Sequence, residues 1–332
     1  MTAPKIRTVF MGTPSFSVPA LQALLGDPRF DVLGVLTQPD RPSGRGQKRQ
    51  PSPVKQTAEQ SALTIWQPVS LRKDTECLAW IRSVTPDVFV TIAFGQILSQ
   101  EVLDIPRLGT VNVHASLLPR WRGANPIQWA IKSGDATTGL TTMLTDIGVD
   151  TGAMLLRWET PIQPEDRGDS LAHRLAQAAG PLLIDTLVGL SAGTVSPQPQ
   201  DASLATHAPK AKKEEALLDW QQPATILAQI IRAQQPWPGA VLPWSDATQI
   251  KILSAVALSP EQQETLASLK QPTLPKSPGE ILGVLKTTDI AGVCVQTGDG
   301  IILLREVQPP GKKAMPALDW FRGLNTGHEI LR

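Results

Sequence analysis

Apolar and polar positions along the first part of the chain predict short strands separated by helices. Apolar runs of four to seven residues, typical of buried strands, alternate with segments of helical spacing. The predicted strands are Ile6–Met11, Val32–Thr37, Val88–Phe94 and Thr110–His114, and the predicted helices include Val18–Leu25 and Glu76–Ser83. A hairpin-like stretch at Met154–Ile162 and a helix at Ser170–Leu190 complete this part. This alternation predicts an α/β fold with a Rossmann-like, mostly parallel sheet and helices on both faces.

The second part of the chain has a different pattern. Residues 191–207 are polar and rich in proline and small residues, which indicates a linker. The helix predicted after it is Pro223–Gln234, and the predicted strands are Ala240–Leu242, Ile250–Val256, Ile281–Leu285, Gly292–Gln296 and Ile301–Glu306, with a polar insertion at Ser259–Pro278. Several short strands separated by turns are typical of a small barrel. We therefore predict a domain at 1–190, a linker at 191–207 and a C-terminal domain at 208–332.

Composition limits the classes of protein to consider. The chain has 332 residues, of which 41% are hydrophobic and 18% charged, as in ordinary two-domain globular proteins. No apolar stretch approaches the ~20 residues that span a bilayer, so we expect no membrane segment and a cytoplasmic location. Two cysteines suit a reducing compartment, and the four histidines lack ligand spacing, so we expect no metal. The net charge of +1 does not indicate nucleic-acid binding.

Candidate chemistry lies at the end of the strand Thr110–His114. Asn112 and His114 are two residues apart, so a strand places both side chains on the same side. An amide and an imidazole held together can donate hydrogen bonds to a developing oxyanion. A carboxylate follows in the segment Thr145–Gly152, where Asp146 and Asp150 are both candidates. The alternative is a pair of polar side chains without a catalytic role, or a carboxylate that only caps its loop.

The combined pattern N-x-H-x-S-L-L-P-x-x-x-G and D-x-G-x-D-T-G resembles that of the 10-formyltetrahydrofolate-dependent formyltransferases, and among them the methionyl-tRNA formyltransferases. The resemblance extends over nearly the whole chain. The other matching segments are Val9–Pro14, Thr37–Pro42, Gly44–Gly46, Pro51–Lys55, Ala208–Lys210, Lys213–Ala216, Asp219–Trp220, Arg232–Ala233, Pro236–Gly239 and Gly311–Met315. The resemblance implies that the C-terminal domain is an OB-like β-barrel that binds tRNA.

The resemblance also implies roles for particular residues. The family's three catalytic residues match Asn112, His114 and Asp150. Residues expected to contact the folate are Ser116, Leu117, Leu118, Pro119, Phe94, Gly95 and Ile97. Where the family often has tyrosine this chain has Phe94, so a hydroxyl role there is in doubt. The implied cosubstrate is 10-formyltetrahydrofolate, with no nicotinamide, because Gly12-Thr13-Pro14 lacks the G-x-G-x-x-G pattern.

A basic segment, Asp40–Lys55, is longer than an ordinary strand-to-helix connection, which favours a functional loop. Composition alone slightly favours a solvated loop. The resemblance implies instead that the loop enters the acceptor stem of initiator tRNA, with Arg45 central. The implied tRNA contacts are Arg41, Arg45, Lys48 and Arg49 in the loop, and Lys210, Lys212, Lys213, Arg232, Lys312 and Lys313 in the C-terminal domain.

Two alternatives remain beside formylation of methionyl initiator tRNA by a monomeric enzyme. Sugar-nucleotide and glycinamide ribonucleotide formyltransferases share the same three polar residues, although the basic loop and the C-terminal domain argue against them. The chain could also be a non-catalytic RNA-binding protein on a relict folate fold. The intact Asn112, His114 and Asp150 argue against that alternative.

Overall fold

The computed structural model describes residues 4–43, 48–245, 248–268 and 277–324. The chain divides into two compact units. The first comprises Met1–Pro126, Thr137–Pro161 and Ala172–Ala208, and the second comprises Ile127–Ala136, Ile162–Leu171 and Pro209–Arg332. Two short segments of the first half therefore cluster with the C-terminal residues. The predicted boundaries at 190 and 208 stay a prediction.

The first unit is an α/β structure. Its strands are β1 (Ile6–Gly12), β2 (Phe30–Leu36), β3 (Arg41–Ser43), β4 (Lys48–Gln50), β5 (Thr64–Trp66), β6 (Val88–Ile92), β7 (Thr110–His114), β8 (Arg122–Gly123), β9 (Thr137–Leu144), β10 (Met154–Pro161) and β11 (His207–Ala208). Helices α1 (Val18–Gly26), α2 (Pro53–Gln60), α3 (Thr75–Ser83) and α4 (Gln100–Leu103) connect them; α5 (Pro126–Lys132) belongs mostly to the second unit, and α6 (Gly168–Ala192) begins there.

Seven strands form one sheet in the order β10-β9-β7-β6-β1-β2-β5. The five strands from β7 to β5 are parallel, and β9 and β10 extend the sheet in antiparallel fashion. The central strands β1 and β6 are almost fully buried, because helices cover both faces. From Leu156 onward, the edge strand β10 alternates between residues that are buried or half-buried and residues that are exposed. The mostly parallel α/β sheet of the sequence analysis is confirmed.

The strand order reverses between β1 and β6, because the chain continues to one side through β2 and β5 and to the other through β7. In such sheets ligands bind beyond the carboxyl ends of the strands at the reversal. Gly12 ends β1 and pairs with Ile92 at the end of β6. A side chain at Gly12 would come within 2.9 Å of the Ser17 Cβ, so close packing explains this glycine.

Helix α6 bears on the expectation that the chain has no membrane segment, which stays a prediction. It is 25 residues long, and its most apolar window has a mean hydropathy of 1.3, which is long and apolar enough to cross a membrane. Half of that window is buried within the protein. Leu175, Ala179, Leu183 and Leu187 recur at every fourth position and are buried, as on the inner face of a core helix.

The second unit contains an antiparallel sheet. Its strands are β12 (Ala240–Ser245), β13 (Thr248–Ala257), β14 (Ile281–Lys286), β15 (Ala291–Gln296), β16 (Ile301–Gln308) and β17 (Met315–Pro316), and its further helices are α7 (Ala224–Ala233), α8 (Pro260–Ser268) and α9 (Ala317–Arg322). The order is β12-β13-β16-β15-β14, with β17 on β16. Pairing between β12 and β14, which would close a barrel, is not among the ladders of the described residues.

Apolar residues cover both faces of this second sheet. On one face Leu227 and Ile231 of α7 share a core with Ile252 and Leu304. On the other, Leu266 of α8 packs with Leu258, Leu285, Cys294 and Leu303. Helix α8 lies inside the segment described above as a polar insertion, so part of that segment contributes to a core.

Candidate active site

Strand β7 brings Asn112 and His114 to the carboxyl end of the parallel sheet. Asn112 pairs in register with Thr91 of β6 and with Met143 of β9. The Thr91 hydroxyl donates to the Asn112 Oδ1 at 3.2 Å. This bond fixes the amide oxygen, and within the described part of the chain the Asn112 Nδ2 has no hydrogen-bond partner, so its two N–H donors are available to a ligand. A fixed amide with free donors is what an oxyanion requires.

His114 is 6% exposed and faces oxygen atoms with both ring nitrogens. Its Nε2 lies 2.8 Å from the Trp121 carbonyl oxygen. A carbonyl can only accept, so Nε2 carries the proton and donates it to Trp121. The other nitrogen, Nδ1, lies 3.6 Å from the Asp150 Oδ2, within ion-pair range but beyond a hydrogen bond. Catalytic contacts of this kind are often long before substrate binds.

The two candidate carboxylates of the segment 145–152 have different surroundings. Asp150 is 15% exposed at its side chain and accepts a hydrogen bond from the Gly123 backbone N–H at 2.7 Å. Asp146 is exposed and caps its own loop, accepting from the Gly148 N–H and the Thr151 hydroxyl. Only Asp150 of this pair therefore lies beside the imidazole of His114.

The backbone around these residues is unusual. Asp150 has a φ of 53° and Trp121 a φ of 64°, both in the left-handed region that non-glycine residues seldom adopt. A side chain at Gly152 would lie 1.7 Å from the Leu144 carbonyl oxygen, so the Asp150 loop turns back on β9 without room for a Cβ. Such conformations persist only where the surrounding contacts hold them.

The residues predicted to contact folate differ in exposure. Ser116, Leu118 and Phe94 are buried, and Phe94 belongs to the core beside Val9 and Met11. Leu117 and Pro119 are half-buried, whereas Gly95 is exposed and Ile97 is 78% exposed. The buried side chains thus support the loops, and the exposed groups remain for a ligand.

Thr141 of β9 fixes the turn that follows His114. Its hydroxyl donates to the Ser116 carbonyl at 2.7 Å and accepts from the Leu118 N–H at 3.1 Å. Thr141 also pairs in register with His114. No signal in the sequence distinguishes this threonine from the others in the strand.

The predicted basic loop contains an antiparallel hairpin. Strands β3 and β4 pair Arg41 with Gln50 and Pro42 with Arg49. Arg41 and Arg49 are exposed; Lys48 is described only as part of β4, and Arg45 lies outside the described residues. The structure thus describes the stem of the loop but not the residue implied to be central.

A hydrogen-bonded ion pair closes the base of this hairpin. Lys55 Nζ donates to the Asp40 Oδ2 at 2.7 Å and to the Gln67 Oε1 at 2.9 Å. The Lys55 ammonium, followed by the Gln67 amide, holds the pKa of Asp40 below its usual value. Ser52 begins α2 by accepting from the Lys55 N–H, with Pro53 at the first helical position. These contacts hold the two ends of the hairpin in place.

The basic residues implied in the second unit are mostly exposed. Lys210, Lys212, Lys213, Lys312 and Lys313 are all exposed. Arg232 is only partly exposed, and its Nη1 donates to the Asp166 carbonyl oxygen at 2.8 Å. Burial lowers the pKa of its guanidinium. Arg232 thus has a structural contact that the lysines do not share.

Comparison with known proteins identifies the family. Residues 5–187 match the model of the formyl transferase family, and residues 210–325 match the model of the formyl transferase C-terminal domain. The chain belongs to the formyl transferase family. The family predicted from the sequence motifs is confirmed.

Several relatives in the formyl transferase family match along nearly their whole length. A methionyl-tRNA formyltransferase of Synechococcus sp. (strain JA-3-3Ab) is 48% identical over 319 residues, covering 96% of this chain and 95% of that protein. A methionyl-tRNA formyltransferase of Pseudomonas fluorescens is 46% identical, covering 97% and 94%. The likeness therefore includes the C-terminal unit.

Solved structures share the fold at low identity. HypX from Aquifex aeolicus in complex with tetrahydrofolic acid has a TM-score of 0.61 at 17% identity, covering 98% of this chain and 48% of that one. An N-formyltransferase from Helicobacter canadensis, in complex with folinic acid and dTDP-3-aminofucose, has a TM-score of 0.63 at 15% identity, covering 92% and 99%. At these identities the likeness concerns the fold alone.

Sequence reasoning missed several residues that surround the site. Trp121 and Gly123 stand in the conspicuous run after His114, but nothing in that run indicates that their backbone groups contact His114 and Asp150. Gln200 and Thr206 lie in the segment predicted to be a linker, and the composition of that segment does not indicate a role in the site. Both contact the loops of the site, as described below.

Proposed function

We propose that the chain transfers the formyl group of 10-formyltetrahydrofolate to the amino group of methionyl initiator tRNA, giving N-formylmethionyl-tRNA for translation initiation in the cytoplasm. The observation that carries this proposal is the 48% identity with a methionyl-tRNA formyltransferase over 96% of the chain. The arrangement of an amide, an imidazole and a carboxylate at the end of β7 supports it.

The reaction joins the nitrogen of an amine to the formyl carbon and breaks the bond between that carbon and N10 of the folate. The intermediate has a tetrahedral carbon with a negatively charged oxygen. Asn112 donates to this oxygen from the amide whose Oδ1 is held by Thr91. Asp150 accepts the proton that the attacking amine releases, directly or through a water molecule.

His114 completes this arrangement by changing its hydrogen-bond partner. Its Nε2–H donates to the Trp121 carbonyl in the free protein. In the reaction the more strongly negative oxyanion takes over this donor. Nδ1 then takes up the proton that Asp150 accepted from the amine, and Nε2 gives its proton to N10 of the departing folate. Asp150, beside Nδ1, orients the ring and stabilises its charged form.

Exposed apolar side chains fit the folate donor. Ile97, Ile147 and Val149 are 78%, 70% and 60% exposed, on the loops that follow β6 and β9. Aliphatic side chains held in water are costly unless a ligand covers them. We propose that Ile97 and the 145–149 loop contact the flat pterin ring, with backbone groups of Gly95 and of Ser116–Pro119 providing its polar contacts.

The tRNA contacts are assigned to basic residues. In the first unit these are Arg41 and Arg49, which are exposed, together with Arg45 and Lys48, which are assigned from the sequence alone. In the second unit they are Lys210, Lys212, Lys213, Lys312 and Lys313, which we propose bind phosphates. Because Arg232 has a backbone partner, we assign it the weaker contribution.

The decisive experiment measures transfer of a labelled formyl group to charged initiator tRNA. Free methionine and elongator methionyl-tRNA are the controls for RNA selectivity, and an aminosugar nucleotide tests the sugar-nucleotide alternative. Supplying 10-formyl- or 5-formyltetrahydrofolate identifies the donor. Transfer to the sugar nucleotide, or to no acceptor at all, would contradict the proposal.

A further inference from the structure

Gln200 lies between an arginine and the loop that carries Asp150. Its Nε2 donates to the carbonyl oxygens of Asp150 and of Gly152, both at 2.8 Å. Its Oε1 accepts from the Nε and Nη2 of Arg122, at 3.0 and 2.8 Å. The amide orientation is unambiguous, because a guanidinium only donates and a carbonyl only accepts. Apart from a long contact of Nε2 with the Met143 Sδ at 4.0 Å, the side-chain hydrogen bonds of Gln200 are directed at two segments of the candidate active site.

The Asp150 loop needs such support. Asp150 has a φ of 53°, in the left-handed region that residues other than glycine adopt only occasionally. The two hydrogen bonds from Gln200 hold the carbonyl groups on either side of Thr151. They therefore fix the turn from which the Asp150 carboxylate reaches toward His114.

The same short segment holds the other partner of His114. The Thr206 Oγ1 accepts from the Trp121 N–H at 2.9 Å, and the Thr206 carbonyl accepts from the Arg122 N–H at 2.8 Å. Trp121 in turn accepts from His114 through its own carbonyl. Residues 200–206 thus contact the backbone on both sides of the imidazole.

We propose that Gln200 is a positioning residue for formyl transfer, which sets the position of the Asp150 carboxylate relative to the Nδ1 of His114. The inference rests on the proposed function, because it assigns the pair a role in that reaction. Gln200 itself touches no reacting atom. Its effect passes through the Asp150 loop, and it should disappear when Asp150 can no longer act as a base.

The test compares Gln200→Met with Gln198→Met in the full-length chain. Gln198 is exposed, and its contacts with Met154 are made by backbone atoms, so it offers the same chemical change without the amide contacts. We expect Gln200→Met to lower kcat on the order of 10- to 100-fold, since small displacements of a catalytic group can cost this much, with the folate KM nearly unchanged. Gln198→Met should match the unmodified protein.

A double-mutant cycle separates positioning from general destabilisation. Gln200→Met in the Asp150→Asn background should cost no more than about twofold beyond Asp150→Asn alone. Gln200→Glu provides a second variant, because it keeps the length and the Arg122 contact but turns an oxygen toward two carbonyls. It should also lose activity. Independent, multiplicative losses in the cycle, or full activity of both Gln200 variants, would overturn the inference.

A spectroscopic readout distinguishes failure of this inference from failure of the proposed function. If the unmodified chain transfers no formyl group to methionyl-tRNA, the proposed function fails. The ring ¹⁵N shifts of His114 still report the geometry in protein labelled at its four histidines. In Gln200→Met these shifts should move toward those of Asp150→Asn. Shifts unchanged from the unmodified protein would refute the positioning role, whatever the activity.

Discussion

The replacement of Asp150 by asparagine, compared with the same change at Asp146, tests the assignment of the base most sharply. The two carboxylates lie four residues apart in one loop, and the substitution is chemically identical. Asp150 lies 3.6 Å from the His114 Nδ1, whereas the partners of Asp146 among the described residues are groups of its own loop. A difference in activity between the two variants would therefore be due to the position of the carboxylate and not to the chemical change itself.

The structure also limits the effect on stability. An asparagine at 150 keeps an oxygen that can accept from the Gly123 N–H, which now donates at 2.7 Å. Replacing a charge-assisted hydrogen bond by a neutral one costs about 1 kcal/mol. Asparagine tolerates the left-handed φ of 53° at least as well as aspartate. We expect Tm to fall by no more than about 4 °C.

The effect on catalysis should be much larger. A positioned general base contributes about 10²–10⁴-fold, and asparagine cannot accept a proton. We expect kcat of Asp150→Asn to fall by this factor, with the folate KM within about threefold of the parent value. Asp146→Asn keeps the capping oxygen and should lose less than about threefold.

The assay is transfer of a labelled formyl group to charged initiator tRNA across a range of pH, with thermal unfolding of each variant measured in parallel. Near-parental turnover of Asp150→Asn at neutral pH would refute the role of Asp150 as base. Equal losses in the two variants would show that the loop as a whole, and not the position of Asp150, matters.

Three further predictions follow from the structure. Lys55→Met should lower tRNA formylation several-fold more than folate binding, because it releases the base of the hairpin; the KM for each substrate measures the difference. The pKa of Asp40 is lowered in the folded protein, so its ion pair with Lys55 stabilises the fold above pH 3.8. This stabilisation is lost as the pH falls through the lowered pKa. Gly152→Ala should lose at least tenfold in kcat, because a Cβ would lie 1.7 Å from the Leu144 carbonyl; parental kcat would refute this steric argument. Burial raises the pKa of the Cys77 thiol to about 12, so the native protein at pH 8 should hold about 10⁻⁴ of it as thiolate and resist a disulfide reagent until it unfolds.

The sequence was sufficient for features that depend on local periodicity. Strand β7 has the bounds predicted from the apolar run, Thr110–His114, and the period of two accounts for Asn112 and His114 on one side of it. Strand β9, by contrast, was missed. Its threonine-rich run, Thr137–Leu144, lacks the aliphatic pattern of the other strands, and it is buried because β7 and β10 flank it. Pairing with its neighbours in the sheet, and not the pattern of its own residues, accounts for this strand.

The sequence by itself determined the α/β class and the family, and it predicted Asn112, His114 and Asp150 as the site, because short-range spacing and motif letters carry that information. Only the tertiary structure decided which oxygen atoms surround the imidazole of His114. The contacts from Gln200 to Asp150 and from Trp121 to Thr206 join residues 50 and 85 positions apart. Contacts between such distant residues form only when the sheet and its loops fold as a whole, so no local sequence pattern around Gln200 or Thr206 predicts them.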